Sequence, residues 1–389
     1  MNPERTKIFY IENIRLPTEK AHGYQIMKTC EALVGQGADV TLVCADRRNP
    51  LGDKDPFEYY GIGIRYPIVR LAVWDWLSRV PSWLWRPTFW LERQTFFSSL
   101  KKFAKSFPPH SVCYTRDAHI AAFVKRLRAD VCVFVEPHVL PRPAVLKRLS
   151  DIDGIAALTS WIGDRCRDVL PKMKTIVLPD AVDLEIFDPA ISKQEARREL
   201  DIAGDQKIIV YGGRFTTMEQ GKGLGALDNV VQDLSKTDPR LRLILVGGTA
   251  AEFEKVEGRS PSDTTICAGS VDRMALAKYY RAADILAMVF PNTHHYAYEM
   301  SPMKMFEYMA SGTPIITSDL PSVRDVLDES MAIFYPVEVE GGLRQALTRY
   351  LAMDAGILER MAAAAKEKVK RKYTWEARAK DILGFVQCT

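Results

Sequence analysis

The chain has 389 residues, of which 47% are hydrophobic and 26% are charged, and these values exclude a disordered or low-complexity protein. The length predicts two domains rather than a single core. No apolar run is long enough to cross a bilayer, and the N-terminal segment carries charges where a signal peptide would be apolar, so we expect a cytoplasmic protein.

The positive charge is unevenly distributed along the chain. Residues 1–190 hold 27 basic and 22 acidic side chains, whereas the remainder holds 26 basic and 27 acidic side chains. Within residues 60–110, eight basic side chains stand against Asp75 and Glu92. This excess predicts a basic surface on the first domain. The mild net charge of +4 and the lack of a recognition module argue against a nucleic-acid partner.

The seven cysteines are scattered singly through the chain, with no CxxC pair, and most of them lie in apolar runs. Single cysteines in apolar runs are typical of small buried side chains. We therefore expect neither a disulfide bond nor a zinc site. The cysteines are Cys30, Cys44, Cys113, Cys132, Cys166, Cys267 and Cys388.

In the first half, short β-branched apolar runs alternate with helical patterns, which indicates βαβ units and a parallel sheet. Between the first two runs, apolar residues recur at helical spacing until Gly35 and Gly37 end the helix. The predicted strands lie at residues 7–14, 38–45, 111–116, 131–138, 154–160 and 175–180.

After Asp180, a charged connector precedes a second series of strand and helix patterns. We therefore predict an α/β fold with two Rossmann-like, doubly wound parallel-sheet domains, at residues 1–185 and 186–373. Ligands of such sheets bind at the carboxyl ends of the strands, so we expect the two domains to face each other across a cleft. The predicted strands of the second domain lie at residues 207–213, 241–248, 265–271, 284–290 and 313–319.

Two glutamates, Glu299 and Glu307, flank a short segment that contains Ser301 and Pro302. Pro302 suits the first turn of a helix, which places Glu299 in the loop before the helix and Glu307 about a turn and a half inside it. N–H groups at a helix start attract phosphate, and the two carboxylates could hold sugar and ribose hydroxyls. The alternative is an ordinary amphipathic helix with Glu307 in solvent.

A glycine-rich segment follows the first predicted strand of the second domain. Gly213 and Arg214 follow this strand directly, and Lys222 lies between two further glycines just before a helix. Glycine permits close approach of the backbone to a ligand, and two cations at one strand end can neutralise a diphosphate. The alternative is an exposed surface loop. We favour the anion site because this segment and the two glutamates meet at the same edge of the predicted sheet.

Histidines follow two strands of the first domain. The fourth predicted strand ends in Glu136 and His138, and the first strand leads to His22 and Gly23. A histidine at a strand end can donate hydrogen bonds to sugar hydroxyls or transfer a proton. In the second domain, His295 lies close enough to the first glutamate to contact the same sugar, but it lacks the further ligands of a metal site. The alternative is that each histidine has only a structural role.

Five of the seven tryptophans fall within residues 73–91, inside the basic segment. Tryptophan favours membrane interfaces and carbohydrate faces, so this cluster predicts docking to an anionic membrane and a lipid-linked acceptor. The alternative is an aromatic cluster buried under the sheet. The five side chains are Trp74, Trp76, Trp83, Trp85 and Trp90.

Together these motifs resemble the retaining, nucleotide-sugar-dependent glycosyltransferases of family 4, which have the GT-B fold. The resemblance rests on the segments EMSPMKMFEYMASGTPII, YGGRF with GKG behind it, LPDAVDLEIFDP, LRLILVGG and AHGYQIMKTCEALVGQGADVTLV. It implies transfer of a hexose from a UDP- or GDP-linked sugar, without a cofactor or metal, to a glycan or lipid-linked acceptor. Together with the tryptophan cluster, it leads us to expect a role in polysaccharide or glycan synthesis and peripheral attachment to the inner face of the cell membrane.

The resemblance also implies a role for each candidate residue. The donor diphosphate would be held by Arg214 and Lys222, with the backbone around Gly213, Ser301 and Pro302 nearby. The ribose would bind Glu307, and Glu299 would orient the transferred sugar, with His295 beside it. On the first domain, His138 would act at the cleft with Glu136 as its neighbour, and His22 and Gly23 would approach the phosphates. The helix at residues 374–389 would cross back onto the first domain.

One departure from the family pattern is the TTMEQ segment, which lengthens the loop between Arg214 and Lys222. The family mechanism implied is a front-side attack in which the leaving phosphate accepts the acceptor's proton, with no covalent intermediate. A soluble small-molecule acceptor and a bilobal sugar-binding protein without catalysis are the alternatives. A storage-glucan phosphorylase or synthase would need a pyridoxal-phosphate lysine site or a larger first domain, and neither is apparent in the sequence.

Overall fold

The computed structural model describes residues 5–76, 80–217 and 220–387. The chain divides into two compact units. The first unit consists of residues 1–179 together with residues 375–389, and the second consists of residues 180–374. Each unit contains a parallel sheet covered by helices.

The strands of the first unit are Lys7–Glu12 (β1), Asp39–Asp46 (β2), Ile68–Ala72 (β3), Val112–Thr115 (β4), Cys132–Val135 (β5), Gly154–Ala157 (β6) and Thr175–Val177 (β7). Across the described ranges they form one parallel sheet in the order β3-β2-β1-β4-β5-β6-β7. The strand order reverses between β1 and β4, and ligands of doubly wound sheets bind beyond the carboxyl ends of the strands at such a reversal.

The helices of the first unit are Ala21–Gly35 (α1), Pro56–Tyr60 (α2), Trp85–Phe103 (α3), Ala118–Leu127 (α4), Pro143–Leu146 (α5) and Ser160–Val169 (α6). The predicted end of α1 is confirmed, because Gly37 follows it with a φ of 92°, in the left-handed region that glycine adopts without strain. Buried apolar side chains from α3, α4 and the sheet form one core, which includes Phe96, Ile120 and Val133.

The strands of the second unit are Lys207–Gly212 (β8), Thr216–Thr217 (β9), Gln220–Gly221 (β10), Leu241–Val246 (β11), Thr265–Gly269 (β12), Ile285–Met288 (β13), Ile315–Ser318 (β14) and Ile333–Tyr335 (β15). In the described chain, six of them form a parallel sheet in the order β12-β11-β8-β13-β14-β15, and β9 and β10 form an antiparallel ribbon. The sheet has the same doubly wound order as the first, and its reversal lies between β8 and β13.

The helices of the second unit are Leu184–Phe187 (α7), Lys193–Glu199 (α8), Leu224–Ser235 (α9), Ala250–Glu257 (α10), Arg273–Ala282 (α11), Met303–Ser311 (α12), Pro321–Arg324 (α13), Gly342–Ala352 (α14) and Ala355–Lys372 (α15). The last helix, Trp375–Phe385 (α16), belongs to the first unit. There it packs through Trp375 against Tyr24 and through Phe385 against Phe134, with ring centres 6.3 and 5.4 Å apart.

The sequence analysis missed two edge strands and the ribbon. In β3, only Leu71 is fully buried, and the strand contains an arginine, so it lacks the continuous apolar run of a central strand. The strand β15 has only three residues. The sheets therefore have seven and six strands within the described ranges, one more in each than the sequence predicted.

The expectation that the chain has no disulfide is wrong, because Cys132 in β5 is disulfide-bonded. Spacing along the sequence does not show which cysteines meet in the fold, which explains the error. No helix in the part of the chain that the structure describes combines the length and the apolar character needed to cross a bilayer. The free cysteines among the described residues are Cys30, Cys44, Cys113, Cys166 and Cys267.

Candidate functional site

The candidate site of the second unit lies at the carboxyl end of β8, where the strand order reverses. Here β8 leads into Gly213, which has a φ of 120°, and β11 leads into Gly247, which has a φ of 116°. A Cβ atom on Gly247 would lie 2.7 Å from the backbone of Gly213. Both positions therefore require glycine, and the two loops pack closely at the sheet edge.

The sequence analysis did not assign a role to Lys304, which the structure brings to this edge. Its side chain extends from the first turn of α12, and Nζ lies 3.9 Å from the centre of the Tyr211 ring and 5.3 Å from that of Phe290. A Cβ atom on Gly213 would lie only 3.2 Å from Nζ, so this glycine leaves room for the ammonium group. Nζ is buried and has no hydrogen-bond partner among the described residues.

Burial lowers the pKa of Lys304 well below its ordinary value, and the positive charge of Lys222 lowers it further, against the opposing effect of Glu307. A buried ammonium without a hydrogen-bonding partner is costly, and buried charges in proteins are generally paired. Lys304 is therefore the strongest single indication of an anion site. The signal in the sequence was a lysine in the first turn of a helix, between the two glutamates.

The second cation, Lys222, is also buried. Burial lowers its pKa from an ordinary value of 10.5 to about 8, and the charge of Arg214 contributes. The ribbon of β9 and β10 turns the lengthened loop back on itself, so Lys222 returns to electrostatic range of Arg214. Lys222 also acts on Lys304. The structure thus brings together the predicted pair of cations and adds a third.

The carboxylate of Glu307 lies in α12 and is only 5% exposed, so the alternative that this side chain lies in solvent is wrong. Arg273 Nη2 donates a hydrogen bond of 2.9 Å to Glu307 Oε1, and the Tyr280 hydroxyl lies 3.4 Å from Oε2. Arg273, at the start of α11, is a residue that sequence reasoning missed. The helix ends at Ser311, and Gly312 follows it with a φ of 66°.

The segment before α12 is also largely buried. Glu299 ends a π-helical turn over His295–Glu299, and its Oε2 lies 3.6 Å from His295 Nδ1. The hydroxyl of Ser301 accepts a hydrogen bond of 2.9 Å from the N–H group of Asp180. Pro302 is the N-cap residue of α12 rather than its first residue. Its side chain cannot accept a hydrogen bond, so it does not cap the first-turn N–H groups.

In the first unit, Glu136 and His138 follow β5 and contact each other directly. His138 Nε2 lies 2.8 Å from Glu136 Oε1, the Tyr114 hydroxyl donates to Oε2 at 2.5 Å, and Arg378 Nη2 lies 2.7 Å from the same Oε2. Burial alone would raise the pKa of Glu136, but the charge of Arg378 and hydrogen bonds from its neighbours hold it below its usual range. Glu136 is therefore ionised and accepts a hydrogen bond from Nε2 of His138. In a neutral imidazole the other nitrogen, Nδ1, then carries no proton and can accept a hydrogen bond.

Burial lowers the pKa of His138 to about 4, with a further contribution from Arg116, although Glu136 opposes the shift. His138 is therefore neutral near pH 7. Burial and Arg116 likewise lower the pKa of His22 to about 4. The neighbouring Gly23 has no space for a side chain, because a Cβ atom there would lie 2.1 Å from the Tyr60 hydroxyl.

The five tryptophans are 45–76% exposed, so the alternative of a buried aromatic cluster is wrong. Trp74 and Trp76 contact each other with ring centres 5.5 Å apart, and Trp85 stacks on Phe89 at 5.3 Å. Leu91 is exposed next to them. The five tryptophans and Leu91, here called the tryptophan patch, are exposed apolar side chains of the first unit.

The described residues contain no group of three or more His, Cys, Asp or Glu side chains arranged to hold a metal ion. Reaction without a metal or cofactor stays a prediction.

Residues 206–353 match the family profile described as Glycosyl transferases group 1. The alpha-monoglucosyldiacylglycerol synthase of Streptococcus pneumoniae is 24% identical over 234 residues, which cover 56% of this chain and 51% of that protein. The phosphatidyl-myo-inositol mannosyltransferase of Mycobacterium tuberculosis is 27% identical over 212 residues, which cover 54% and 52%. The chain thus matches about half the length of these curated relatives.

Solved structures of similar fold cover nearly the whole chain. Sucrose-phosphate synthase from Thermosynechococcus elongatus matches with a TM-score of 0.75 and 21% identity, over 98% of each chain. Anabaena HepE, solved with UDP and glucose, matches with a TM-score of 0.67 and 11% identity, over 98% of this chain and 99% of its own. These likenesses confirm the predicted fold class, GT-B with two Rossmann-like sheets.

Proposed function

We propose that the chain is a hexosyltransferase, because residues 206–353 match the family profile described as Glycosyl transferases group 1. It transfers a sugar from a nucleoside-diphosphate sugar to an acceptor hydroxyl. The donor binds the second unit at the carboxyl ends of β8 and β13, the position at which doubly wound sheets bind ligands.

The observation that carries this proposal is the group of cations at the end of β8. The Lys304 amine is buried without a hydrogen-bond partner among the described residues, the charge of Lys222 acts on it, and Arg214 in turn acts on Lys222. Three cations close together repel one another, so a bound dianion would relieve both their repulsion and the burial of Lys304. A diphosphate has the charge and the oxygen acceptors for this role.

The two glutamates could bind the hydroxyl groups of the donor's ribose and sugar. Arg273 donates to one oxygen of Glu307, and the other oxygen lies 3.4 Å from the Tyr280 hydroxyl, so it could also accept a hydrogen bond from a ribose hydroxyl. Glu299 lies beside His295, where a carboxylate and an imidazole can orient sugar hydroxyls. We propose these roles on the family resemblance together with this geometry.

During transfer the bond between the sugar C1 and the diphosphate oxygen breaks, and the negative charge of the leaving group grows. Arg214, Lys222, Lys304 and the start of α12 would stabilise that charge. The acceptor oxygen forms its bond to C1 on the same face, and its proton passes to the departing phosphate oxygen. The anomeric configuration is then retained. His138, held by Glu136, offers an acceptor nitrogen to a sugar hydroxyl.

We propose that the acceptor is lipid-linked and is met at a membrane surface. The tryptophan patch is exposed, and its neighbourhood contains an aromatic groove with the cations Arg93, Arg126 and Arg148. Aromatic and basic side chains together suit the interface of an anionic bilayer. Two relatives named above carry names that refer to lipids. A location at the inner face of the membrane remains a prediction.

The experiment that tests the proposed function is a calorimetric titration with UDP, GDP and their sugars. We expect one nucleoside diphosphate to bind and the corresponding sugar donor to be hydrolysed or transferred. Incubation with the donor and a lipid extract should yield a glycolipid whose anomeric proton, observed by NMR, reports retention. A chain that binds none of these nucleotides would contradict the proposal.

A further inference from the structure

A cavity of about 640 Å³ lies in the first unit, beyond the carboxyl ends of β1, β4 and β5. The cavity lies where the strand order of that sheet reverses, which is the position at which doubly wound sheets bind their ligands. The volume lies in the range of pockets that hold small molecules. Its polar lining includes Glu12, His22, Arg116, His138 and Arg142.

Arg116 is the central polar group of this cavity. Its backbone N–H donates to the carboxylate of Glu12. Its Nη1 is buried and has no hydrogen-bond partner among the described residues. A guanidinium keeps its charge at all accessible pH values, so it cannot relieve its burial by losing a proton. Arg116 therefore presents an unsatisfied, permanently charged donor in a cavity at the ligand position of the sheet.

The surrounding groups leave the charge of Arg116 largely uncompensated. Burial raises the pKa of Glu12 to about 8, despite the opposing charge of Arg116, so this carboxyl is mostly protonated near neutral pH. His22 and His138 are neutral there, because burial and Arg116 lower both pKa values to about 4. The carboxylate of Asp117 accepts a hydrogen bond from the start of α4 and lies 3.8 Å from Arg93.

Arg142 adds a second guanidinium at the exposed side of the cavity. Two arginines with one ionised acid give the lining an excess of positive charge. Apolar side chains such as Ile14, Val139 and Leu140 complete the wall. A guanidinium binds phosphate oxygens with paired, charge-assisted N–H donors in a fixed geometry.

We propose that this cavity binds a phosphate ester carried by the acceptor, with Arg116 as its principal ligand and Arg142 as its second. The inference rests on the proposed function, since it assigns the first unit to the acceptor. The proposed lipid-linked acceptor would carry this phosphate as a headgroup diester, and a soluble sugar or polyol phosphate, which is a monoester, is the other source that the test distinguishes. His138 lies in the same cavity, so a bound ester places its sugar or polyol beside the nitrogen that Glu136 orients.

The test is a calorimetric titration of the full chain with esters and their neutral counterparts. Glucose 6-phosphate is compared with glucose, and glycerophosphoglycerol, a soluble diester headgroup, is compared with glycerol. We expect one ester to bind at least about tenfold more tightly than its counterpart, as a charge-assisted hydrogen bond requires. The ester that binds identifies the source of the phosphate. Equal binding of both esters and their counterparts would overturn the proposal.

Arg116→Gln should remove the preference for the ester, while Arg165→Gln, which changes an exposed arginine of α6 outside the cavity, should keep it. Melting curves establish that each variant is folded. If Arg116→Gln does not fold, the second variant is Arg142→Gln, which replaces an exposed side chain. It should lower the affinity for the ester several-fold. Ester binding that is unchanged in a folded Arg116 variant would overturn the proposal.

Titration with UDP and GDP separates this inference from the proposed function. We expect their affinities to be the same in Arg116→Gln and in the unchanged chain, because the donor binds the second unit. A selective loss of nucleotide affinity in Arg116→Gln would assign the cavity to the donor and overturn the inference. Failure of every nucleotide to bind, with ester binding intact, would contradict the proposed function alone.

Discussion

The ammonium nitrogen of Lys304 lies 3.9 Å from the centre of the Tyr211 ring, at the end of the strand that carries the candidate donor site. The ring face attracts the cation, which offsets part of the cost of burial, but it supplies no hydrogen-bond acceptor of ordinary strength. The site therefore holds a buried lysine whose charged form a bound anion would stabilise.

Replacing this cation should separate stability from binding. We expect Lys304→Met to raise the free energy of unfolding by about 1 kcal/mol, because an apolar chain of similar length replaces a buried polar group. The same variant should bind the nucleoside diphosphate at least about tenfold more weakly. Urea denaturation and calorimetry measure the two effects. Lys236→Met, at a side chain that is 73% exposed, is the control and should change neither. Unaltered nucleotide affinity in Lys304→Met would contradict the assignment.

The depressed pKa of Lys222 makes stability depend on pH. Its pKa of about 8 in the folded chain lies below the ordinary 10.5, so between these values the unfolded chain binds more protons. Stability contributed by this residue therefore rises with pH across that window, by at most about 3 kcal/mol, and the penalty is fully present below pH 8. Urea denaturation of the chain and of Lys222→Met should show a stability difference that shrinks from pH 7.5 to pH 10. A constant difference would argue against the burial of a charged Lys222.

Binding of a diphosphate should be accompanied by proton uptake. The pKa of Lys222 and that of Lys304 are both lowered by burial, and a bound dianion would raise them again. Calorimetry near pH 8.5 in buffers of different ionisation enthalpy measures the number of protons taken up. We expect a positive number that falls in Lys222→Met. Binding with no proton exchange in either chain would contradict the account.

The ribose role of Glu307 can be separated from the diphosphate site by a ligand that lacks ribose. We expect Glu307→Gln to lower the affinity for the nucleoside diphosphate about tenfold, because the amide keeps the shape of the carboxylate but not its charge. The affinity for inorganic pyrophosphate, which has no ribose, should stay the same. Competition calorimetry measures both ligands. Equal loss of affinity for pyrophosphate and for the nucleotide would show that Glu307 acts through the folding of α12 and not through the ribose.

Because His138 is neutral, we expect the activity to be independent of pH in the range where an ordinary histidine titrates. Because its pKa is about 4, kcat/KM should show no inflection near pH 6.5 and should fall only below about pH 5. The stability that this residue contributes is present above pH 6.5 and is lost as the pH falls towards 4, since the unfolded chain then binds more protons. An inflection near 6.5 that disappears in His138→Gln would contradict this assignment.

The tryptophan patch should bind anionic vesicles. We expect Trp83→Ala and Trp85→Ala, combined in one chain, to reduce co-sedimentation with phosphatidylglycerol vesicles severalfold, because interfacial aromatic area is lost. Met274→Ala changes a side chain that is equally exposed but lies in the second unit, and it should have no effect. Unchanged sedimentation of the tryptophan variant would remove the membrane proposal and leave the transferase proposal standing.

The periodic features of the chain could be predicted because each had a local physical cause. Central strands appeared as continuous apolar runs, and the helix end near Gly37 followed from the left-handed conformation that glycine adopts without strain. The family resemblance, drawn partly from the segment around Glu307, is confirmed over residues 206–353. The edge strand β3 could not be found in this way, since Arg70 interrupts its apolar run and only Leu71 is buried.

The partners of the site residues could not be predicted, because they depend on tertiary contacts. Arg273 reaches Glu307 from α11, and Arg378 reaches Glu136 from the last helix of the chain, 242 residues away in sequence order. Nor does any local pattern distinguish Lys304 from a solvated lysine in the first turn of a helix. Its importance becomes visible only when Tyr211 and Gly213 are found around it.

Calorimetric titration of UDP and GDP into the chain and into Lys304→Met tests the central claim most directly. The account predicts that one nucleotide binds the unchanged chain at a single site and that the variant, although at least as stable, loses at least about tenfold in affinity. Equal affinity in both chains, or no binding of either nucleotide, would contradict it.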